Sequence, residues 1–92
     1  MINGSAKEFI EGLHCGDERF FFYNNKKYFI EGWNENEKLM LILYVVENPN
    51  DNFEWQAVSK DKNYTVAEFE NAKILGDKSF WEVEKDMECV VF

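Results

Sequence analysis

The side chains with the most chemical potential in this chain are one histidine, two cysteines and a crowd of carboxylates. His14 and Cys15 are adjacent, which suggests a thiol–imidazole pair or a pair of metal ligands. On a helix, however, neighbouring side chains point in different directions and do not face each other. With a single His, and with Cys15 and Cys89 far apart, a four-coordinate zinc site would also need a carboxylate. Cys15 is expected at a helix end or in the core, and Cys89 in the core, where a free cysteine acts as a small apolar side chain. A Ser-His-Asp triad would have to use His14, and no serine sits in a GxSxG elbow. Neither GxGxxG nor GxxxxGKS/T occurs, so no phosphate-binding loop is expected. The reading is of a non-enzyme with no catalytic residue, no metal ligand and no cofactor.

Glu82, Glu84, Asp86 and Glu88 crowd one short stretch, and Glu35 and Glu37 flank Asn36. Paired carboxylates do acid–base work where their environments push their pKa values apart, and nothing in the sequence buries these. Residues 48–52 lack the glycine and ligand spacing of a calcium loop. The four C-terminal acids are therefore expected as a solvated face, or as an acidic patch that meets a basic partner.

The charge balance narrows the partners. Eighteen acidic against ten basic residues give a net charge of −8. Nucleic acid needs Lys and Arg against its phosphates, and an anionic membrane needs them against its headgroups. Both are excluded as expected partners. The longest apolar run, residues 39–46, is far short of the ~20 residues that span a bilayer. The opening MINGSAKEFIEGL lacks a basic region followed by an apolar one, so no signal peptide is expected. With so few cysteines, the chain reads as cytoplasmic. Its 92 residues suit a single domain, residues 1–92, with one modest core.

The elements that must position any site follow from periodicity. Ser5 and Glu8 form a capping-box pattern, and Ala6, Phe9, Ile10 and Leu13 recur at i, i+3, i+4, i+7, which predicts a helix stopping near Gly16. Residues 18–23 and 26–31 predict a hairpin around Asn24-Asn25, since asparagine tolerates the positive φ of a two-residue primed turn. That turn sets Phe22 opposite Lys27, Phe21 opposite Tyr28 and Phe20 opposite Phe29. Residues 32–37 read as a turn. Residues 38–47 read as a third strand, apolar on both sides and so covered on both faces. Residues 48–52 are a loop, and 53–59 a weaker fourth strand. Capping-box patterns at Thr65–Glu68 and Ser79–Glu82 predict two C-terminal helices, the first ending near Gly76. For residues 79–92 a hairpin competes with the helix; the helix is favoured, with an extended tail at 89–92. The fold class is α+β: an N-terminal helix, a four-stranded antiparallel meander and two C-terminal helices.

Three stretches carry a family resemblance: Ala6-Lys-Glu-Phe-Ile10, the hairpin Phe21-Phe-Tyr-Asn-Asn-Lys-Lys-Tyr-Phe-Ile30, and Gly76-Asp-Lys-Ser-Phe-Trp-Glu82. The chain resembles a group of short, uncharacterised bacterial proteins. The resemblance implies this order of elements and no particular activity.

The distinctive feature is aromatic. Nine Phe, four Tyr and three Trp make up 17% of the chain, and the hairpin concentrates them. One hairpin face carries Phe21, Tyr23, Tyr28 and Ile30. The other carries Phe20, Phe22 and Phe29, with Lys27 among them. Either helices cover one face and part of the other and every ring is core, or one aromatic face stays open. An open face would serve a homodimer or another protein partner, since large exposed apolar patches mark such sites. The expected function is thus a protein-interaction module, with a small acidic inhibitor or immunity-type protein against a basic partner as the alternative. A Phe22→Ser variant followed by light scattering separates the two packings. A core face loses the fold; an interface face keeps the fold and loses association.

Overall fold

The computed structural model describes residues 1–46 and 53–90, without the side chains of Glu35, Phe53 and Lys62. The loop expected at 48–52 and the end of the tail lie outside the described residues. Helix α1 (Ala6–His14) leads into strands β1 (Arg19–Tyr23), β2 (Lys26–Glu35), β3 (Lys38–Val45) and β4 (Phe53–Ser59). Helices α2 (Lys62–Asn71) and α3 (Phe80–Val83) follow, then a 3-10 turn (Glu84–Asp86) and a short strand β5 (Glu88–Cys89). The class is α+β, with a five-stranded antiparallel sheet in the order β4-β3-β2-β1-β5. The expected meander therefore gains a fifth strand at the β1 edge. The helix favoured over the hairpin for 79–92 lasts one turn, and the chain then runs extended beside β1.

The first hairpin has the expected register, with Phe20 opposite Phe29, Phe21 opposite Tyr28 and Phe22 opposite Lys27. Asn24 and Asn25 hold φ of 53° and 63°, as a primed turn requires. The expected turn over residues 32–37 is a correction. Strand β2 continues to Glu35, and only Asn36 and Glu37 turn, at φ of 51° and 67°. Gly32 is in mid-strand for a packing reason. A Cβ there would lie 2.8 Å from Leu41 Cδ2 and 3.2 Å from the Cα of Gly16, just past the end of α1.

Two helix boundaries also differ. Asp61, not a Thr65–Glu68 box, caps α2: its Oδ1 accepts from the Asn63 amide at 2.8 Å. Thr65 is buried one turn in, and its hydroxyl donates to the Leu39 carbonyl of β3 at 3.1 Å. Helix α2 stops at Asn71 rather than near Gly76. Gly76 and Asp77, both at positive φ, instead form a tight turn closed by reciprocal backbone bonds between Leu75 and Lys78. The boxes at the other two helices are present in part or whole. Ser5 Oγ accepts from the Glu8 amide at 3.3 Å, and Glu82 reaches back to the Ser79 amide at 3.1 Å.

All three helices pack on one face of the sheet. Phe9, Ile10 and Leu13 of α1, Val66 and Phe69 of α2, and Phe80 and Val83 of α3 meet Phe21, Tyr28, Ile30, Leu39, Leu41 and Leu43 in one buried cluster. Phe9 is its hub, with ring centroids 5.7 Å from Phe21, 6.4 Å from Phe69 and 5.4 Å from Phe80. Strand β3 does lie between two strands, but among the described residues helices cover only the Leu39–Leu41–Leu43 side. The expectation of cover on both faces is corrected accordingly. Truncating the hub's fully buried neighbour should be costly: Phe69→Ala is expected to lower stability by about 3–5 kcal/mol in urea denaturation.

Candidate functional site

Because strand side chains alternate, the residues between the core positions stand on the far side of the sheet. Register places them in rows. Phe20, Phe29 and Tyr44 form one row, Glu31, Ile42 and Gln56 the next, and Trp33, Met40 and Val58 the one beyond. Glu88, Phe22 and Lys27 form a row at the other end. Phe22 is 42% exposed, Trp33 37% and Val58 53%. No helix of the described residues lies over this face.

The rings organise themselves. Phe20 stacks on Phe29 at 4.5 Å between centroids, and Phe29 on Tyr44 at 6.1 Å, with planes 22° and 19° apart. Offset stacks of this kind add about 0.5–1.5 kcal/mol beyond area burial. The Lys27 ammonium sits 5.0 Å from the Phe20 centroid and 5.9 Å from that of Phe22. The Tyr44 hydroxyl donates to Glu31 Oε1 at 3.3 Å. Trp33, Met40 and Val58 border a shallow hollow of ≈ 290 Å³. The centre of the face is thus apolar and aromatic, with Lys27, Glu31 and Gln56 among the rings and with Lys38 and Glu88 at its two ends.

Phe20, Phe22, Phe29 and Lys27, singled out from the sequence, come together on this face. Glu31, Trp33, Met40, Tyr44 and Val58 were not expected there. The signal for both Glu31 and Trp33 was the alternation running on from Phe29: Glu31 already lay in the strand assigned to residues 26–31, and the turn assigned to residues 32–37 cut off Trp33.

The four C-terminal carboxylates do not form a shared site. Glu82 accepts from the Ser79 amide and hydroxyl, at 3.1 and 3.0 Å, and lies 3.5 Å from Lys73 Nζ. Glu84 pairs with the α-amino group of Met1 at 2.9 Å. Glu88 accepts from Asn3 Nδ2 at 3.3 Å, and Asp86 is exposed. No group of three or more His, Cys, Asp or Glu among the described residues is placed to hold a metal ion.

The remaining reactive groups are dispersed. His14 is in the last turn of α1, and Cys15 is exposed at the helix end. Cys89 is half-buried on β5 rather than in the core, with its Sγ 3.0 Å from Met1 Sδ. Burial pushes its thiol above the ordinary value, against a smaller opposing pull from Arg19. A groove of ≈ 330 Å³ lies beside it, bordered by Ser5, Glu8 and Arg19. Arg19 is already engaged by Asp17 at 3.1 Å. No helix of the described residues is long and apolar enough to cross a membrane.

No protein-family model matches this chain, and neither curated proteins nor solved structures give a significant match.

The cap at α3 has a pH signature. The Ser79 amide, then its hydroxyl and Lys73, hold the Glu82 carboxyl below its ordinary range. A depressed carboxylate contributes stability that is present above its unfolded pKa and lost as pH falls through the lower folded one. Acidification through that window is expected to loosen α3, seen as a change in fluorescence from neighbouring Trp81. Glu82→Gln should abolish that titration.

Proposed function

We propose that this chain is a non-enzymatic protein-interaction module whose working surface is the open sheet face. The observation that carries this reading is the asymmetry of cover. Three helices pack on one side of the sheet, while Phe22, Trp33 and Val58 stand exposed on the other. Contiguous exposed aromatics mark recognition surfaces, and aromatic side chains supply most of the binding energy at protein interfaces. A sheet face of this kind is completed by a second layer packed about 10 Å away. Lys27 and Glu31, each held in place by rings or by Tyr44, would give such a contact orientation.

The alternative of an acidic inhibitor draws less support from the structure. Three of the four C-terminal carboxylates have partners within the chain. A cytoplasmic setting fits two free thiols.

Oxidative footprinting tests the module. Dilute purified protein should label strongly at Trp33, Met40 and Phe22, and the same positions should be protected in concentrated native lysate. Equal labelling in both would mean that nothing covers the face. As a control on packing, Phe22→Ser should stay folded, at a cost of roughly 1 kcal/mol or less because the ring is only partly buried.

A further inference from the structure

Resting on that reading, we infer that the occupant of the open face is a second copy of this chain, docked about a two-fold axis that passes over Phe29. The charges on the face carry the inference. Lys27, Phe29 and Glu31 alternate along β2, so all three point to the same side. At two residues per repeat, Lys27 and Glu31 stand about 7 Å on either side of Phe29. They carry opposite signs and flank the central ring, while the other charged side chains of the face at described strand positions lie at its margins, Lys38 beyond Trp33 and Glu88 on the β5 edge beside Phe22.

A pattern of plus, ring, minus is its own complement. A two-fold axis in the plane of the contact, crossing β2 at Phe29, reverses the strand direction of the second copy. Phe29 then meets Phe29. Lys27 meets Glu31 of the second copy, and Glu31 meets Lys27 of the second copy. Isologous contacts make each such pair twice. The lateral placement agrees. Lys27 leans over the Phe20 and Phe22 rings on the β1 side, and Glu31 is held by Tyr44 on the β3 side. The line joining the two charges is therefore oblique to β2. Sheets matched along it cross obliquely, as face-packed sheets do at about 30°.

The net charge of −8 does not oppose this arrangement. Glu8, Glu11, Glu68, Glu70 and Glu82 sit on helices, all on the covered side. With layers about 10 Å apart, the helix layers of two copies lie about 30 Å from each other. That is well beyond the Debye length of about 8 Å at physiological salt. A strongly basic partner would instead face Lys27 with a like charge.

Sedimentation equilibrium on the full chain and three variants tests the inference. The wild type should dimerise reversibly. Lys27→Glu and Glu31→Lys should each weaken the dimer at least about tenfold, because each sets like charges opposite each other twice. The double variant should recover to within about threefold. An equimolar mixture of the two single variants should also associate, since one copy then carries only negative and the other only positive charges at these positions. That rescue excludes misfolding as the cause of the single-variant losses, and circular dichroism of each variant checks it directly. A dimer indifferent to both swaps would place the contact elsewhere, for example along the β4 edge, and overturn the inference. A wild type that stays monomeric while its face is protected in lysate would overturn it too, leaving the module reading intact with a different protein as partner. A face unprotected in every setting would overturn the module reading itself.

Discussion

Register in the β2 hairpins is the constraint on which the rest of the molecule depends. A strand alternates its side chains with period two, so a slip of one residue would move every core residue to the open side and every open residue into the core. Two short turns prevent that slip. Asn24 and Asn25 turn at φ of 53° and 63°, and Asn36 and Glu37 at 51° and 67°. Asparagine enters this conformation readily; Glu37 does so at a cost of about 1 kcal/mol or more. The cost is tolerated because the alternative register would expose Ile30, Leu41 and Leu43, which are fully buried in this one. Turn chemistry and burial thus select the same pairing.

Given that register, the helices have one side to choose. The stripe Phe9, Ile10 and Leu13 fits against Phe21 and its neighbours, and Phe9 then offers its ring to Phe69 and Phe80. The Thr65 hydroxyl ties α2 to β3 through the Leu39 carbonyl. The Trp81 indole ties α3 to α2 through Glu70 at 2.7 Å. Helices of nine, ten and four residues are committed to this layer. On the other face the rings shelter one another instead. Phe20, Phe29 and Tyr44 stack into a short ladder across three strands, and Ile42 is nearly buried among the strand side chains around it.

Much of this was legible from residue types. The α1 stripe, the hairpin register and the sorting of Phe21 and Tyr28 away from Phe20, Phe22 and Phe29 follow from periodicity and two asparagines. What escaped reading depended on contacts between distant segments. Gly32 looks like turn punctuation in isolation, yet it is required because Gly16 approaches it across the fold. Thr65 looks like a helix cap, yet its hydroxyl is drawn to β3 while Asp61 performs the capping. The aromatic face was half legible. Its β1 and β2 members lie close in sequence, while Met40, Tyr44 and Val58 join them only through strand pairing. Glu82, Glu84, Asp86 and Glu88 read as a patch because they are neighbours in sequence, but the one-turn helix and the strand that follows send Glu82, Glu84 and Glu88 to separate partners and leave Asp86 exposed.

The polar members of the open face constrain its partner more than the apolar ones. Removing an unpaired charge from water costs several kcal/mol, whereas a charge that meets its opposite can recover most of that. Lys27 is partly satisfied by ring faces and Glu31 by the Tyr44 hydroxyl, so both sites are preorganised but neither is neutralised. A purely apolar surface laid over the face would strand both. A surface of uniform charge would pair one and repel the other. The surface that suits both presents a carboxylate and a cation flanking an aromatic or aliphatic centre. That is the pattern which Lys27, Phe29 and Glu31 themselves present once the strand direction is reversed.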